Sequence, residues 1–459
     1  MRAPTRVLLV STYELGHQPL GLAAPAASLR AAGHEVRTLD VAVAPAEQER
    51  FDDVDLVAIS VPMHTAARLG VTLAAGLRRA RPRLPIAFYG LYASPLRERL
   101  LADGLADAVI GGEVEPALVA LADRLAAGGW ASDECSATPA FPRQAYPVPD
   151  RHGLPPLDRY ARLRVGDELR LAGYVEASRG CAHRCAHCPL TPVYGGRLRL
   201  VQQASVLADV DQLVAAGAEH VTFGDPDFLN AVPHSLATAE ALHARHPRLT
   251  FDVTVKVEHL VERPDAVARL REAGCLFVTS AFESTSDRVL DALEKGHSAG
   301  DLDRALAVAR AAGVALRPTW VTFTPWTTAG DLLAQLDFIE RRGLVAHVQP
   351  VQYAIRLLLP PGSPLVSRLR DERRLGRFDE DALTFTWASA DPRLEALQGE
   401  LAGLVEGAAC GAHDVEPAVE TFRRVKAAAR RHLLGDPRPV DVLPQPREAV
   451  PGLTEPWFC

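Results

Sequence analysis

The sequence predicts an α/β protein in three parts: an N-terminal parallel sheet, a second and partial (β/α)6 barrel, and a helical C-terminal extension. Three observations predict it. Between residues 6 and 127 short β-type runs alternate with Ala/Leu/Arg-rich helical ones. A second alternation of the same kind follows a proline-rich stretch, and from about residue 371 the pattern turns helical. Alternation of this kind means a parallel sheet covered by helices.

In the first part the strand runs are RVLLV, HEVRTLD, DLVAIS, PIAFYG and ADAVIGG. Five such units complete a flavodoxin-like or Rossmann-like domain over residues 1–130. Its ligand site is expected beyond the carboxyl ends of the strands, in the loops Ser11 to Gly21, Ser60 to Thr65, Gly90 to Ser94 and Gly111 to Glu115. Residues 131–170 carry Pro139, Pro142, Pro147, Pro149, Pro155 and Pro156 without a period and read as an extended linker. Over 171–370 the strand candidates are GYVEAS, HVTFGD, LTFDVTVKV, CLFVTSAFE, ALRPTWVTF and HVQPVQYAI. Six units fall short of the eight in a closed barrel, so this barrel should be open. Residues 371–459 read as helices at 393–409 and 415–433, then a Pro-rich tail ending Glu455-Pro456-Trp457-Phe458-Cys459.

A chain of 459 residues with 48% hydrophobic and 23% charged residues has the composition of a globular protein of two or three domains. Its net charge of -7 leaves no basic excess for nucleic-acid phosphates. The apolar run near the N-terminus is too short for a signal segment, and no stretch approaches the ~18–20 apolar residues of a membrane span. A cytoplasmic protein without membrane or nucleic-acid partners is therefore expected. Lysine is nearly absent, with only Lys256, Lys295 and Lys426 among 50 basic residues, which reads as compositional bias. The cysteines number seven, an odd count, and three of them fall within eight positions. That suits metal ligation better than a disulfide framework.

Those three are Cys181, Cys185 and Cys188, in the C-x-x-x-C-x-x-C segment Ser178-Arg-Gly-Cys-Ala-His-Arg-Cys-Ala-His-Cys-Pro189, directly after the first barrel strand. Thiolates hold iron-sulfur clusters, usually four at a time, so three leave one iron open to a small-molecule ligand. A structural zinc completed by His183 or His187 is the alternative, although none of Cys135, Cys275, Cys410 or Cys459 makes a second knuckle. Arg179, His183 and Arg184 give the loop an electropositive reading. Along FDVTVKVEH, Phe251, Val253, Val255 and Val257 share one face while Asp252, Thr254, Lys256 and Glu258 share the other. With the apolar face toward the helices, the polar one points into the barrel. Thr279 with Glu283, and Gln352 with Arg356, repeat the pattern. Internal salt bridges or surface charges remain open readings residue by residue, but together they imply a ligand in the lumen.

Cysteine spacing, placement after a strand and the six units together resemble the radical S-adenosylmethionine superfamily over roughly residues 171–370. The resemblance implies a 4Fe-4S cluster on the three cysteines, with S-adenosylmethionine chelating the open iron. It also implies one-electron cleavage of that cofactor to methionine and a 5′-deoxyadenosyl radical. Carried over position by position, Gly224 and Asp225, with Asp227 just beyond, stand where relatives bind the methionyl amino group. Glu283 and Ser284 stand at a ribose-contacting position, and Thr322 near the adenine. His187 replaces the aromatic residue that commonly packs on the adenine, and Lys256 joins these cofactor candidates from the inward face.

The N-terminal part is similar to cobalamin-binding domains of cobalamin-dependent radical enzymes. It lacks the Asp-x-His-x-x-Gly motif whose histidine ligates cobalt, and Glu14-Leu-Gly-His-Gln-Pro-Leu-Gly21 is the nearest text. The cobalamin candidates are Glu14, Gly16, His17, Ser60, Gly90, Gly111 and Gly112. The ensemble resembles one bacterial subgroup, the CUAEP/CCAEP-tail radical proteins, whose members run on past the equivalent of Cys459 through a cysteine or selenocysteine. That resemblance implies a natural chain read through a selenocysteine codon there; an incidental terminal cysteine is the alternative.

The function so implied is cobalamin-assisted methyl transfer to an unactivated carbon or phosphorus of a small molecule, with flavodoxin or ferredoxin as electron donor. A radical enzyme that works without cobalamin, transferring another fragment or rearranging its substrate, and a non-catalytic iron-sulfur redox protein are the alternatives.

Overall fold

The computed structural model describes residues 3–44, 51–129, 141, 145–389, 391–409, 416–446 and 450–455. Cys135, Cys410, Cys459 and the last four residues of the tail lie outside the described residues. No helix among the described residues is long and apolar enough to cross a membrane.

Five strands, β1 (Arg6–Ser11), β2 (Glu35–Asp40), β3 (Leu56–Ser60), β4 (Ile86–Tyr89) and β5 (Ala108–Ile110), form a parallel sheet in the order β2-β1-β3-β4-β5. Each is a predicted run. The inner strands are apolar throughout because helices 20–31 and 114–126 cover one face and helices 64–80 and 97–102 the other, so both faces are buried. Order 2-1-3-4-5 reverses direction between β1 and β3, which opens a crevice at their carboxyl ends.

The second sheet is a curled half-barrel. Strands β6 (Arg162–Val165) and β7 (Glu168–Val175) form an antiparallel hairpin at its start. β8 (Ser178–Gly180) and β9 (Leu198–Leu200) pair beside it, framing the cysteine loop. β10 (His220–Phe223), β11 (Thr250–Thr254), β12 (Cys275–Glu283) and β13 (Ala315–Trp320) then add in parallel to β7. A hairpin of β14 (Leu375–Asp379) and β15 (Thr384–Trp387) precedes helices 392–409 and 418–434, and β16 (Gly452–Leu453) returns to pair with β6. The inward and outward faces of β11 fall as the alternation requires: Phe251 and Val253 are fully buried against helices, and Asp252 and Thr254 line the lumen.

Four expectations need correction. HVQPVQYAI is not a sixth strand but two short 3-10 turns, Val345–His347 and Pro350–Tyr353. Pro350 has no N–H for a ladder, and the Gln352 side-chain oxygen takes the Trp320 N–H at 2.7 Å, capping the edge of β13 in a strand's place. Arg356 consequently leaves the lumen: it pairs with Glu395 at 2.7 Å and stacks on Trp387 at 3.7 Å. The stretch read as linker, 131–170, ends in β6 and the first residues of β7, and its described portion is stapled down, with Arg151 ion-paired to buried Asp209 at 2.7 Å. The C-terminal extension is not purely helical: it contains β14 and β15, and residues 450–455 are tied down, because β16 is a sheet edge and Glu455 accepts a hydrogen bond from the Tyr13 hydroxyl at 2.9 Å.

Gly180 delivers the chain into the cysteine loop at φ +75, and a Cβ there would stand 2.3 Å from the Arg197 carbonyl oxygen. Gly180→Ala should therefore lower stability by about 2–3 kcal/mol, read as the shift in urea midpoint at constant m. An unshifted midpoint would contradict this backbone geometry.

Candidate functional site

The cysteine loop is held from outside itself. Buried Asp225 accepts from the Ala177 N–H at 2.9 Å and the Ser178 hydroxyl at 2.5 Å. Further along, the Ala186 N–H donates to the Leu293 carbonyl at 2.9 Å, and the Thr191 hydroxyl donates to the Cys185 carbonyl at 2.8 Å. Cys181, Cys185 and Cys188 are all free thiols. Burial pushes the Cys188 thiol up to about 12, with Cys185 and Cys181 adding to the shift, and raises Cys181 similarly. Thiols raised in this way, Cys181 and Cys188, stay protonated unless a cation draws off the protons. The Asn230 amide donates to the Cys181 sulfur at 3.4 Å.

Zinc fits this arrangement poorly. Among the described residues, the trio whose ligand atoms all lie within 4.8 Å of one another is His183, Asp227 and His259, not the cysteines. Zinc bonds of ~2.3 Å would gather thiolates to roughly 3.8 Å apart. Neither histidine supplies a fourth ligand: His183 Nε2 lies 3.5 Å from Asp227, and His187 Nε2 lies 3.2 Å from Glu283. Thiolates spread more widely suit a cluster.

Two charged groups flank the loop. Glu283 ends β12 at φ +60 and accepts from buried Lys295 at 3.0 Å and from His187. Burial alone would raise Glu283, but the Lys295 ammonium and His187 hold it well below the usual carboxylate range. Asp227 likewise overcomes burial, through His183 and His259, and is pushed down to about 2. Lys256 lies past the end of β11, its ammonium 3.0 Å from both His183 Nδ1 and Glu258.

The other cofactor candidates divide. Gly224 lies under Tyr174, whose hydroxyl is 1.8 Å from where a Cβ would sit, and Asp225 is pushed up to about 7 by burial. Ser284 caps its own turn, accepting from the Ser286 N–H at 3.1 Å. Thr322 has its hydroxyl engaged, donating to the Gln352 carbonyl at 2.7 Å and accepting from Gln335 at 2.9 Å. The sequence reading missed Asn230 and Lys295. Lysine scarcity was the usable signal, since two of the three lysines, Lys256 and Lys295, sit buried beside this loop. The electropositive reading of the loop also needs correction, because the Arg179 guanidinium is surrounded by Glu113, Glu115 and Glu176 at 3.3, 2.7 and 3.0 Å.

That arginine bridges the two sheets. Beside it opens a cleft of ≈ 310 Å³, with Gly21, Ser60, Gly90 and Gly112 on the N-terminal side and Tyr174, Glu176, Arg179 and Gly224 on the barrel side. Three of the cobalamin candidates, Ser60, Gly90 and Gly112, line this cleft, and Gly111 does not. Glu14 lies just beneath: a Cβ on Gly21 would be 2.5 Å from its Oε1 and 2.6 Å from Ser60 Oγ, so only glycine lets those side chains close up under the cleft floor. This glycine-lined floor fits a bulky cofactor pressed against backbone. Gly16 and His17 belong elsewhere. Gly16 packs on Glu455, while buried His17 packs on Tyr174, ring centroids 4.7 Å apart and planes tilted by 34°, and lines the barrel lumen. The lumen cavity, ≈ 230 Å³, is walled by β10 to β13 and shares Tyr174, Gly224 and Pro226 with the cleft.

A half-barrel with free thiols at its mouth, facing the switch point of a parallel sheet across a cleft, defines a two-domain cofactor-binding protein. Residues 175–327 match the Radical SAM superfamily and residues 6–122 match the B12 binding domain, so the chain carries a radical SAM domain behind a B12-binding domain. Hopanoid C-3 methylase of Methylococcus capsulatus is 27% identical over 335 residues, covering 70% of this chain but 64% of that protein, so the chain spans less than two thirds of that relative. Cobalamin-dependent S-adenosylmethionine radical enzyme OxsB with aqua-cobalamin superposes with a TM-score of 0.71 at 15% identity, covering 94% of this chain and 72% of the other. Methyltransferase TsrM from Kitasatospora setae, with tryptophan and a cofactor analogue bound, gives 0.64 at 17% identity, covering 94% and 95%. These matches show the shared fold. The two domains bring with them a 4Fe-4S cluster, S-adenosylmethionine and cobalamin as cofactors.

Glu14 makes the N-terminal half of the site pH-sensitive. Burial raises its carboxyl to about 8, with Gly21 N–H opposing. A carboxyl raised in the folded state stabilises the fold fully only below its unfolded value of ~4.5, and that contribution is lost as pH climbs through about 8. Glu14→Gln should flatten the decline of unfolding free energy between pH 4.5 and 8, measured by urea titration at several pH values. An unchanged slope would place the titration elsewhere.

Proposed function

We propose that this chain is a cobalamin-assisted radical enzyme that consumes S-adenosylmethionine and transfers a methyl group to an unactivated centre of a small molecule. The observation that carries the reading is the shared wall: the cleft under the B12-binding domain and the barrel lumen meet at Tyr174, Gly224 and Pro226. Two cofactor sites thus open onto one chamber. The hopanoid methylase and TsrM, both methyl-transferring by name, support the choice of group.

When bound, the cluster supplies an electron to S-adenosylmethionine and cobalamin carries the methyl group, while an external donor such as flavodoxin or ferredoxin replenishes the electron. The chain's own residues bind and orient. Cys181, Cys185 and Cys188 would hold the cluster, and the Asn230 N–H at the Cys181 sulfur tunes its potential. The Glu283–Lys295–His187 group and the Asp227–His183–His259 group present fixed polar atoms on either side of the loop for the cofactor's polar ends. Gly224 makes room for Tyr174 at the wall shared by the two cavities, and Gly21, Ser60, Gly90 and Gly112 form the side of the cleft that cobalamin would meet. His17, pushed down to about 4 by burial, stays neutral at the lumen wall.

Anaerobic protein reconstituted with iron, sulfide and cobalamin, then given reductant and methyl-deuterated S-adenosylmethionine, should release 5′-deoxyadenosine and S-adenosylhomocysteine. Cys181→Ala should release neither, on the order of a hundredfold loss or more. Only 5′-deoxyadenosine from the wild type would point to fragment chemistry without cobalamin. Neither product from cluster-loaded protein would reduce it to a redox carrier.

A further inference from the structure

One cation in the lumen has no carboxylate partner among the described residues. Arg317, midway along β13, lines the cavity, and among the described residues its guanidinium has a single hydrogen bond, Nη1 to the Pro451 carbonyl at 2.9 Å. Among the described residues no carboxylate forms a salt bridge with it. The acids around the cavity have partners of their own. Asp252 accepts from His220 at 2.9 Å and Thr222 at 2.6 Å, Asp225 accepts from Ala177 and Ser178, and Glu455 accepts from Tyr13. Burial pushes Arg317 down to about 10, with the charge of Asp252 opposing, so the group remains a cation at neutral pH while deprived of water. Buried charges are normally paired.

The guanidinium is also fixed in place. It lies over the Phe277 ring at 6.0 Å, and the tail packs against it, where a Cβ on Gly452 would come within 2.6 Å of Nη1. The returning tail strand therefore aims the remaining N–H donors into the cavity. Thr279 and Thr319, on β12 and β13, add hydroxyls to the lining, and Phe223 and Phe277 give it an apolar part. A planar fork of donors suits a planar or tetrahedral oxyanion held by two parallel bonds.

We propose that the lumen selects a small acid, a carboxylate or phosphorus oxyanion, with Arg317 as its counter-ion. The inference rests on the lumen being the substrate chamber and names the class of molecule it admits. A volume of ≈ 230 Å³ suits a small molecule, not a polymer end.

Calorimetric titration of the reconstituted full-length protein with benzoate and with phenylphosphinate, each compared with neutral benzamide, tests this and separates the two oxyanion types. Wild type should bind at least one acid tenfold or more tightly than the amide. That preference should fall to within about twofold in Arg317→Met, and part way in Arg317→Lys, which keeps the charge but not the fork. Removing an unpaired buried charge should leave the melting temperature of Arg317→Met no lower than wild type, and Arg317→Lys carries the test if that variant does not fold. Equal binding of acid and amide by wild type, or an acid preference unchanged by either substitution, overturns the proposal. Release of 5′-deoxyadenosine by the same wild-type sample keeps the two readings separate: cleavage without acid preference sinks this inference alone, and acid preference without cleavage sinks the enzymatic reading alone.

Discussion

Residues 177 to 188 form a stretch of backbone that makes few hydrogen bonds within itself, and the molecule is organised around supplying them from elsewhere. Asp225 at the end of β10 fixes the entry, the Leu293 carbonyl and Thr191 fix the middle, and Asn230 meets the first cysteine. Asp225 and Asn230 come from the unit that follows β10, Leu293 from the one that follows β12, and Thr191 from the short turn of helix just after the loop, so its placement depends on neighbouring units of the half-barrel. Leaving buried donors and acceptors unmade costs about 1–3 kcal/mol each, which makes this loop unable to adopt its shape in isolation. Three thiols presented on it repel as thiolates, and a bound cation is what relieves them.

Arg179 extends the same constraint across the domain boundary. One guanidinium faces Glu113 and Glu115 at the start of helix 114–126 in the N-terminal domain and Glu176 just past the end of β7. Burial raises Glu176, and the Arg179 charge opposes it. Removing the arginine would strand buried carboxylates, a loss of roughly 3–5 kcal/mol in comparable buried pairs. The residue two positions before the first cysteine therefore couples the placement of the thiols to that of the B12-binding domain. Arg317 presents the contrasting case, a buried guanidinium with no carboxylate partner among the described residues.

Local pattern carried much of this. The five N-terminal strands were legible because each is a short apolar run between turn residues, and the inward face of β11 because Asp252 and Thr254 alternate with Phe251 and Val253. Cysteine spacing after a strand located the loop. What escaped was decided by long-range contacts. Val348 to Ile355 alternates like a strand, yet Pro350 and the side-chain cap from Gln352 turn it into 3-10 helix. His17, in a loop of the first domain, serves the lumen of the second, and no local signal reports which domain a loop residue faces. Gly452, Leu453 and Glu455 follow a proline-rich tail whose composition suggests fraying, but pairing with β6 orders them and places a carbonyl on Arg317.

The central claim is that the three thiols hold an iron cluster with one iron left to S-adenosylmethionine, and Mössbauer spectroscopy of anaerobically purified, isotope-enriched protein tests it most directly. The account predicts a 4Fe-4S signal in which a single iron site changes when S-adenosylmethionine is added. Zinc in place of iron, or a spectrum indifferent to the cofactor, would contradict it.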